Sequence, residues 1–419
     1  MRADKSIINE DMLIRSDPLS RQLAAVLRRE ILTNLQPGQR LSTARELAQR
    51  FRVNYHTIRE GLSALAQEGL IERRVGRGIF VGDLAKHRHV AVLVERDISD
   101  SHASYFYRRV PQRLVRFLRH NGFSARLYID EVPVGDESLR PVACTEFLEA
   151  AMRHQLCGLA VLVTPPHPFA QWCPCFETLR ADRVPVVAER GKIAEEIEAR
   201  VDFDYRTAVR MGTQHLLDRG CRRIALLEFR LPPCRLEDGN RDEMAEGFLA
   251  AMASSGVEIN PRWVRRNLHP CTPGAGWEDF RRIWTAQREK PDGLLICDDN
   301  LFPGAATAIC QLGIRVPGDL AVVSHFVRGN SNVTVPFPVT KLEFDPDLYV
   351  QVMGDTLLKL MRKEPVVCAE AKLPSRLVGA TQGGGEEGPG GPMPGAAVSA
   401  AVAAAAECEG RKLVLSGAT

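Results

Sequence analysis

Residues 18–81 read PLSRQLAAVLRREILTNLQPGQRLSTARELAQRFRVNYHTIREGLSALAQEGLIERRVGRGIFV. Pro18 follows Ser16-Asp17 and suits the first turn of a helix. Behind it Leu19, Leu23, Val26, Leu27 and Ile31 recur at helical spacing. Gln36-Pro37-Gly38 carries the turn chemistry that ends this helix. Thr43 and Glu46 have capping-box spacing and open a short second helix, Ala44–Phe51. Val53-Asn54 is a turn, and Asn54 caps a third helix, Tyr55–Glu68, with Ile58, Leu62 and Leu65 on its apolar face. Gly69 closes that helix. Ile71–Val81 then reads as strand, glycine-containing turn, strand. Three helices and a hairpin in this order make a winged helix-turn-helix.

Charge marks the same segment. Arg15–Val81 holds twelve arginines, no lysine and six acids, a net +6. The chain of 419 residues carries only +3, so the remainder is slightly acidic. A small basic head on a larger non-basic body is the electrostatic footprint of nucleic-acid binding. The third helix exposes Tyr55, His56 and Arg59 at the end that meets base edges. Arg59 can bond guanine bidentately. Thr57 and the free N–H groups at the helix start suit a phosphate, with Asn54 as the cap. Arg45 suits a backbone or base-edge contact. Gly76 and Gly78 allow a tight wing tip, where Arg73, Arg74 and Arg77 present charge to the minor groove or phosphates. Ile58, Leu62 and Leu65 read as core, Glu46 as a cap, and Arg28 and Arg29 as solvated helix surface. His56 reads equally as a contact or an exposed bystander.

From His89 the pattern changes to short apolar runs separated by helical stretches. The runs are Val90–Val94, Ala125–Ile129, Gly158–Val163, Val184–Ala188, Ile224–Glu228, Gly293–Cys297 and Leu320–Ser324. Helical spacing fills Tyr107–His120, Thr145–Arg153, Tyr205–Arg219, Glu243–Ser255, Phe280–Gln287 and Gly304–Leu312. Alternation of this kind means parallel sheet, and the length suits two α/β lobes. After Thr381 the chain is rich in Gly, Pro and Ala and reads as a disordered tail. The expected division is a head at 15–82, a linker at 83–88, a two-lobe body at 89–381 and the tail at 382–419.

Residues Pro18–Val81 resemble the DNA-binding domain of GntR-family transcription regulators. The likeness rests on Leu35-Gln-Pro-Gly-Gln-Arg-Leu, Arg45-Glu-Leu-Ala, Thr57-Ile-Arg59, Leu65-x-x-Glu-Gly-Leu and Gly76-Arg-Gly-x-Phe-Val. The family usually has Ser-Arg where this chain has Asn54-Tyr55, so the resemblance leaves open which bases are read. Residues 89–381 resemble the periplasmic-binding-protein-like sensor of LacI/GalR regulators. That likeness rests on Val201-Asp-Phe-Asp-Tyr-Arg-Thr-Ala, Gly212-Thr-Gln-His-Leu-Leu-Asp-Arg-Gly-Cys-Arg-Arg-Ile-Ala, Pro291-Asp-Gly-Leu-Leu-Ile-Cys-Asp-Asp and Leu312-Gly-Ile-Arg-Val-Pro-Gly-Asp-Leu-Ala-Val-Val. It implies two lobes joined by three crossings, with ligand at the carboxyl ends of the strands. The ligand candidates there are Asp97, Tyr105, Arg190, Asp204, Arg241, Asp298, Asp299 and His325. Met244 and Phe326 stand where such sensors often carry Arg and Asp, and imply a more apolar pocket. The resemblance implies an effector-responsive regulator binding double-stranded operator DNA as a homodimer on an inverted repeat.

The remaining signals are weak. Cys173-Pro-Cys175 reads as a surface loop, because one cysteine pair cannot complete a four-ligand zinc site. His87-Arg-His89 reads as a solvated spacer, and Lys192–Glu198 as a solvated helix. Eleven scattered cysteines suggest free thiols in a reducing compartment. MRADKSIINEDML has acids where a signal peptide has an apolar run, and Ala396–Ala406 falls short of the roughly 18 residues a membrane span needs. These point to a cytoplasmic protein without membrane, metal or cofactor. The alternative is an α/β enzyme with a nucleic-acid-binding appendage. It needs a glycine-rich loop after a strand or a Gly-x-Ser-x-Gly elbow. The first strand leads instead into Glu95-Arg-Asp-Ile-Ser-Asp, and no such elbow occurs.

Overall fold

The computed structural model describes residues 18–379 except 37, 68, 83–87, 95–97, 99–102, 132–140, 163–168, 190–192, 194, 230–242, 269–273 and 332. Contacts divide the chain into two compact units. One runs to Val90 and takes in Glu146–Cys157 and Cys175–Val184; the other holds the rest.

The head contains α1 (Leu19–Asn34), α2 (Ala44–Phe51), α3 (Tyr55–Gln67), β1 (Ile71–Arg74) and β2 (Gly78–Val81). Its core joins Leu23, Leu27 and Ile31 of α1 to Leu47 of α2 and to Ile58, Leu62 and Leu65 of α3. Ile71 and Val81 of the hairpin complete it. Each such side chain contributes about 1.5–3 kcal/mol of burial. The capping box at α2 is formed in full. The Thr43 hydroxyl accepts from the Glu46 N–H at 3.3 Å, and the Glu46 carboxylate accepts from the Thr43 N–H at 2.7 Å. These bonds hold the Glu46 carboxyl below its ordinary value. Arg52, at φ 52°, turns the chain out of α2 toward α3.

The body is built on two six-stranded sheets. The first contains β3 (His89–Val94), β4 (Ala125–Ile129), β5 (Leu156–Leu162), β6 (Val186–Ala188), β7 (Ala199–Phe203) and β13 (Glu370–Leu373), in the order β13-β7-β6-β5-β3-β4. The second contains β8 (Ile224–Phe229), β9 (Val264–Leu268), β10 (Gly293–Ile296), β11 (Ala321–Val327), β12 (Thr340–Phe344) and β14 (Arg376–Val378), in the order β14-β12-β11-β10-β8-β9. Every residue of β3 and β10 is buried, as strands covered on both faces require. The helices are α4 (Tyr105–His120), α5 (Thr145–Met152), α6 (Phe169–Trp172), α7 (Phe176–Ala181), α8 (Tyr205–Asp218), α9 (Glu243–Ser254), α10 (Trp277–Thr285), α11 (Phe302–Gln311) and α12 (Pro346–Met361).

Three crossings join the two sheets: β7 to α8, β12 to α12 and β13 to β14. Helix α8 packs on β10, β11 and β14, whereas α12 packs on α4, β6 and β7. Aromatic rings fill the first two crossings. Phe203 meets Phe344 edge-on at 5.0 Å, and Tyr205 lies 5.5 Å from the same ring. Arg328 beyond β11 pairs with Asp345 at 2.7 Å, and Lys372 of β13 pairs with Glu243 of α9 at 2.7 Å.

Three expectations are corrected. Cys173 and Cys175 are not in a surface loop; both are buried, as suits small apolar side chains. The described residues of Lys192–Glu198, 193 and 195–198, are not helical: Ile193 and Ile197 form a bridge, and Ile197 is buried. There the Glu198 carboxylate accepts from the Val186 N–H at 2.6 Å, and burial raises its carboxyl. Of His87-Arg-His89, the last two residues are not a solvated spacer, since His89 starts β3 fully inside the lobe and the Arg88 guanidinium is largely desolvated. His87 and the Gly/Ala-rich tail lie outside the described residues. The described cysteines are free, and no group of three or more metal-ligating side chains occurs among the described residues.

Candidate nucleic-acid interface and ligand cleft

The expected contact residues of the head are exposed or half-buried. Asn54 accepts from the His56 N–H at 2.9 Å, so it shapes the start of α3. Tyr55, His56 and Arg59 are exposed there, and Thr57 is half-buried. His56 lies 3.3 Å from Glu60, one turn along. That pair places a carboxylate on the outer face of α3 which the sequence reading passed over. Arg45 is exposed at the start of α2.

The wing is tied to α3. Arg73 donates to the Arg59 carbonyl at 3.3 Å, and Arg74 reaches Glu72 at 3.1 Å while lying over the Phe80 ring at 4.7 Å. Gly76 and Gly78 adopt φ of 72° and 109°, which the turn between β1 and β2 requires. A Cβ at Gly78 would stand 3.2 Å from the Arg40 Nε. Arg40, which bridges to Phe80, therefore adds a cation at the wing. At the tip Val75 is fully exposed beside Arg77.

At the carboxyl ends of the second sheet, Asp298, Asp299 and His325 converge. Asp298 accepts from the Asn300 N–H at 2.8 Å, and Asn330 donates to Asp299 at 3.3 Å. Burial, with Asp299 beside it, pushes the Asp298 carboxyl up to about 7. Burial pushes the His325 imidazole down, against the pull of Asp299, and Phe344 closes on its ring at 4.1 Å. The first sheet contributes Glu189, which is buried and accepts from the hydroxyls of Tyr349 at 3.0 Å and Tyr107 at 3.2 Å. Neither tyrosine carries a local signal.

Other expected ligand residues already have partners. Tyr105 donates to the Gly329 carbonyl at 2.7 Å, a bond between the two lobes. Asp204 caps α8, accepting from the Thr207 N–H at 2.9 Å. Asp97, Arg190 and Arg241 lie outside the described residues. Phe326 packs on Phe302 at 5.0 Å inside the core. Its presence removes a charge without adding an apolar wall to the cleft, so the expectation from Phe326 is withdrawn.

The Asp298 shift carries a pH dependence. An unfolded aspartate titrates near pH 3.9, so the folded chain holds this proton more tightly. Asp298 then lowers stability progressively as pH rises from about 4 to about 7, and adds no further slope above that. Urea unfolding of native and Asp298→Asn chains at pH 5 and pH 7.5 checks this. The variant should lose less stability over the interval than the native chain; equal losses would refute the assignment.

Residues 19–81 match the profile of bacterial regulatory proteins of the gntR family. Residues 213–379 match a periplasmic binding protein-like domain. The protein is thus a DNA-binding transcription regulator that joins a gntR-type head to a periplasmic binding protein-like domain. The arabinose metabolism transcriptional repressor of Halalkalibacterium halodurans is 22% identical, over 69% of this chain and 75% of its own length. The transcriptional repressor PurR of Pasteurella multocida is 30% identical, over 27% of this chain and 32% of its own. Among solved structures, a LacI-family regulatory protein from Chloroflexus aggregans superposes with a TM-score of 0.56 at 16% identity, covering 70% of this chain and 98% of its own. The regulator CelR in complex with cellobiose gives 0.54 at 20% identity, covering 82% and 100%. At these identities the structural matches show a shared fold alone, over the part of the chain they cover.

Proposed function

We propose that this regulator acts as a cytoplasmic homodimer that represses transcription by occupying an inverted-repeat operator, and that a small polyhydroxyl effector in the inter-lobe cleft changes its DNA affinity. The observation that carries the reading is the exposed surface of Arg45, Tyr55, Arg59 and the wing arginines on a head attached to a two-lobe sensor. One head neutralises too few phosphates for a tight specific site, and two heads on one scaffold fix a half-site spacing. Asp298, Asp299 and His325 would accept hydrogen bonds from ligand hydroxyls, and Asp97, Arg190 and Arg241 remain candidates. CelR was solved with cellobiose, which makes a carbohydrate a reasonable first ligand to test. No described helix is long and apolar enough to cross a membrane. The reading requires no catalysis and no cofactor.

Two measurements test it. Moving the half-sites of the operator apart by half a helical turn should abolish tight binding by the full chain. Equal affinity for an isolated half-site would overturn the dimer. Arg59→Ala should lose about 1–3 kcal/mol at one base position and relax specificity there. A uniform loss over all substituted sites would make Arg59 a phosphate contact.

A further inference from the structure

We propose that Arg88, His154 and Asp182 form an anchor that fixes the body end of the linker and thereby holds the heads at one spacing; this rests on the regulator reading above. Arg88 follows directly on residues 83–87 and precedes β3. Its Nη2 donates to the Leu156 carbonyl at the start of β5. Beside it, the His89 N–H donates to the Gln155 carbonyl at 2.9 Å, which seats β3.

The charges around Arg88 are buried. Desolvation pushes its guanidinium below the ordinary value, and Cys157 and Asp182 oppose that. Asp182, just past α7, has a side chain only 4% exposed and meets the His154 Nδ1 at 2.6 Å. His154 follows α5 and is itself 13% exposed. The turns carrying the pair each use a left-handed residue, His154 at φ 58° and Arg183 at φ 51°, a conformation that residues with a Cβ rarely adopt. Desolvated ionic groups are a poor means of gaining stability, but they select one arrangement, because moving these segments apart costs Arg88 its bond to the Leu156 carbonyl and leaves desolvated groups without partners.

That selectivity has a use at this place in the chain. Each residue peeled from the body lengthens the tether of a head by up to about 3.5 Å. A longer tether enlarges the volume a head explores and blurs the spacing of a pair. Holding Arg88 and His89 down keeps the tether at its minimum.

The experiment uses the full chain and half-sites selected from random DNA by the native protein. The variant is Arg88→Met with Asp182→Asn, which removes both charges and keeps the stem of the arginine. Affinity is measured for a single half-site, for the preferred inverted repeat and for a repeat whose spacer is shifted by half a helical turn. The native chain should prefer its own spacer by at least about tenfold, and the variant by no more than about threefold, with half-site affinity unchanged. A folded variant with the native spacer preference overturns the proposal and leaves the cluster a staple between α5 and α7. If the double variant does not unfold cooperatively, Arg88→Lys keeps the charge but loses the planar fork. Its spacer preference should still fall, and an unchanged preference overturns the anchor. A native chain that binds both spacers alike overturns the anchor while leaving DNA binding by the head intact. Absence of any salt-sensitive half-site binding overturns both readings.

Discussion

Retention of the full chain on operator DNA should fall by about three to five orders of magnitude between 50 and 200 mM salt, if two heads together neutralise about six to ten phosphates. Arg45, Arg59, Arg73, Arg74 and Arg77 are all exposed on a head carrying +6. Each phosphate neutralised releases condensed counterions and contributes a slope of about −0.9 in log K against log salt. The bonds of Arg73 to the Arg59 carbonyl and of Arg74 to Glu72 orient these side chains. They are exposed pairs and cost little to exchange for phosphate. Anisotropy titration of a labelled duplex at several salt concentrations measures the slope. Retention indifferent to salt would remove the basis for the DNA-binding surface.

Leu62→Ala should bring the head to the edge of unfolding and weaken DNA binding while leaving the sensor folded. Leu62 is fully buried at the meeting of α1, α2, α3 and the hairpin. Truncating such a leucine costs about 2–5 kcal/mol through lost transfer energy and the cavity left behind. A domain this small has a total stability of the same order. Calorimetry of the full chain should show the head transition lowered by roughly 10 °C or more, at about 4–8 °C per kcal/mol for domains of this size. The transition of the body should be unmoved. A variant that binds DNA with native affinity at 25 °C would show that Leu62 does not hold the head together.

The head was legible almost completely because its signals are local. Thr43 and Glu46 cap the turn they sit on, and Ile58, Leu62 and Leu65 mark one helix face. The body was legible where strands are continuously apolar, as in β3, β5 and β10. The strands β7 and β12 escaped because they alternate: Ala199, Val201 and Phe203 point inward between half-exposed Arg200 and Asp202, and β12 repeats the pattern. Helix α12 was overlooked although Asp345-Pro346 is a strong helix start, and the Asp345 carboxylate does accept from the N–H groups of Asp347 and Leu348. At the cleft, Asp298 and Asp299 followed from a strand end, whereas Glu189 needed Tyr107 and Tyr349 from two distant helices to become a buried carboxylate.

The sequence by itself determined the winged head, its basic surface and the α/β class of the body. Periodicity, capping and net charge act within a few residues, so no tertiary information is needed to read them. Tertiary structure alone decided which polar groups already have partners. Tyr105 is tied to the Gly329 carbonyl, and Arg73 to the Arg59 carbonyl. It also decided that the end of the linker is buried. Arg88, His154 and Asp182 lie far apart in the chain, each beside ordinary surface-type neighbours. Only the packing of β3 against β5, and the turns after α5 and α7, bring them out of water together. Desolvation depends on what the rest of the fold places around a charge, and no local pattern encodes it.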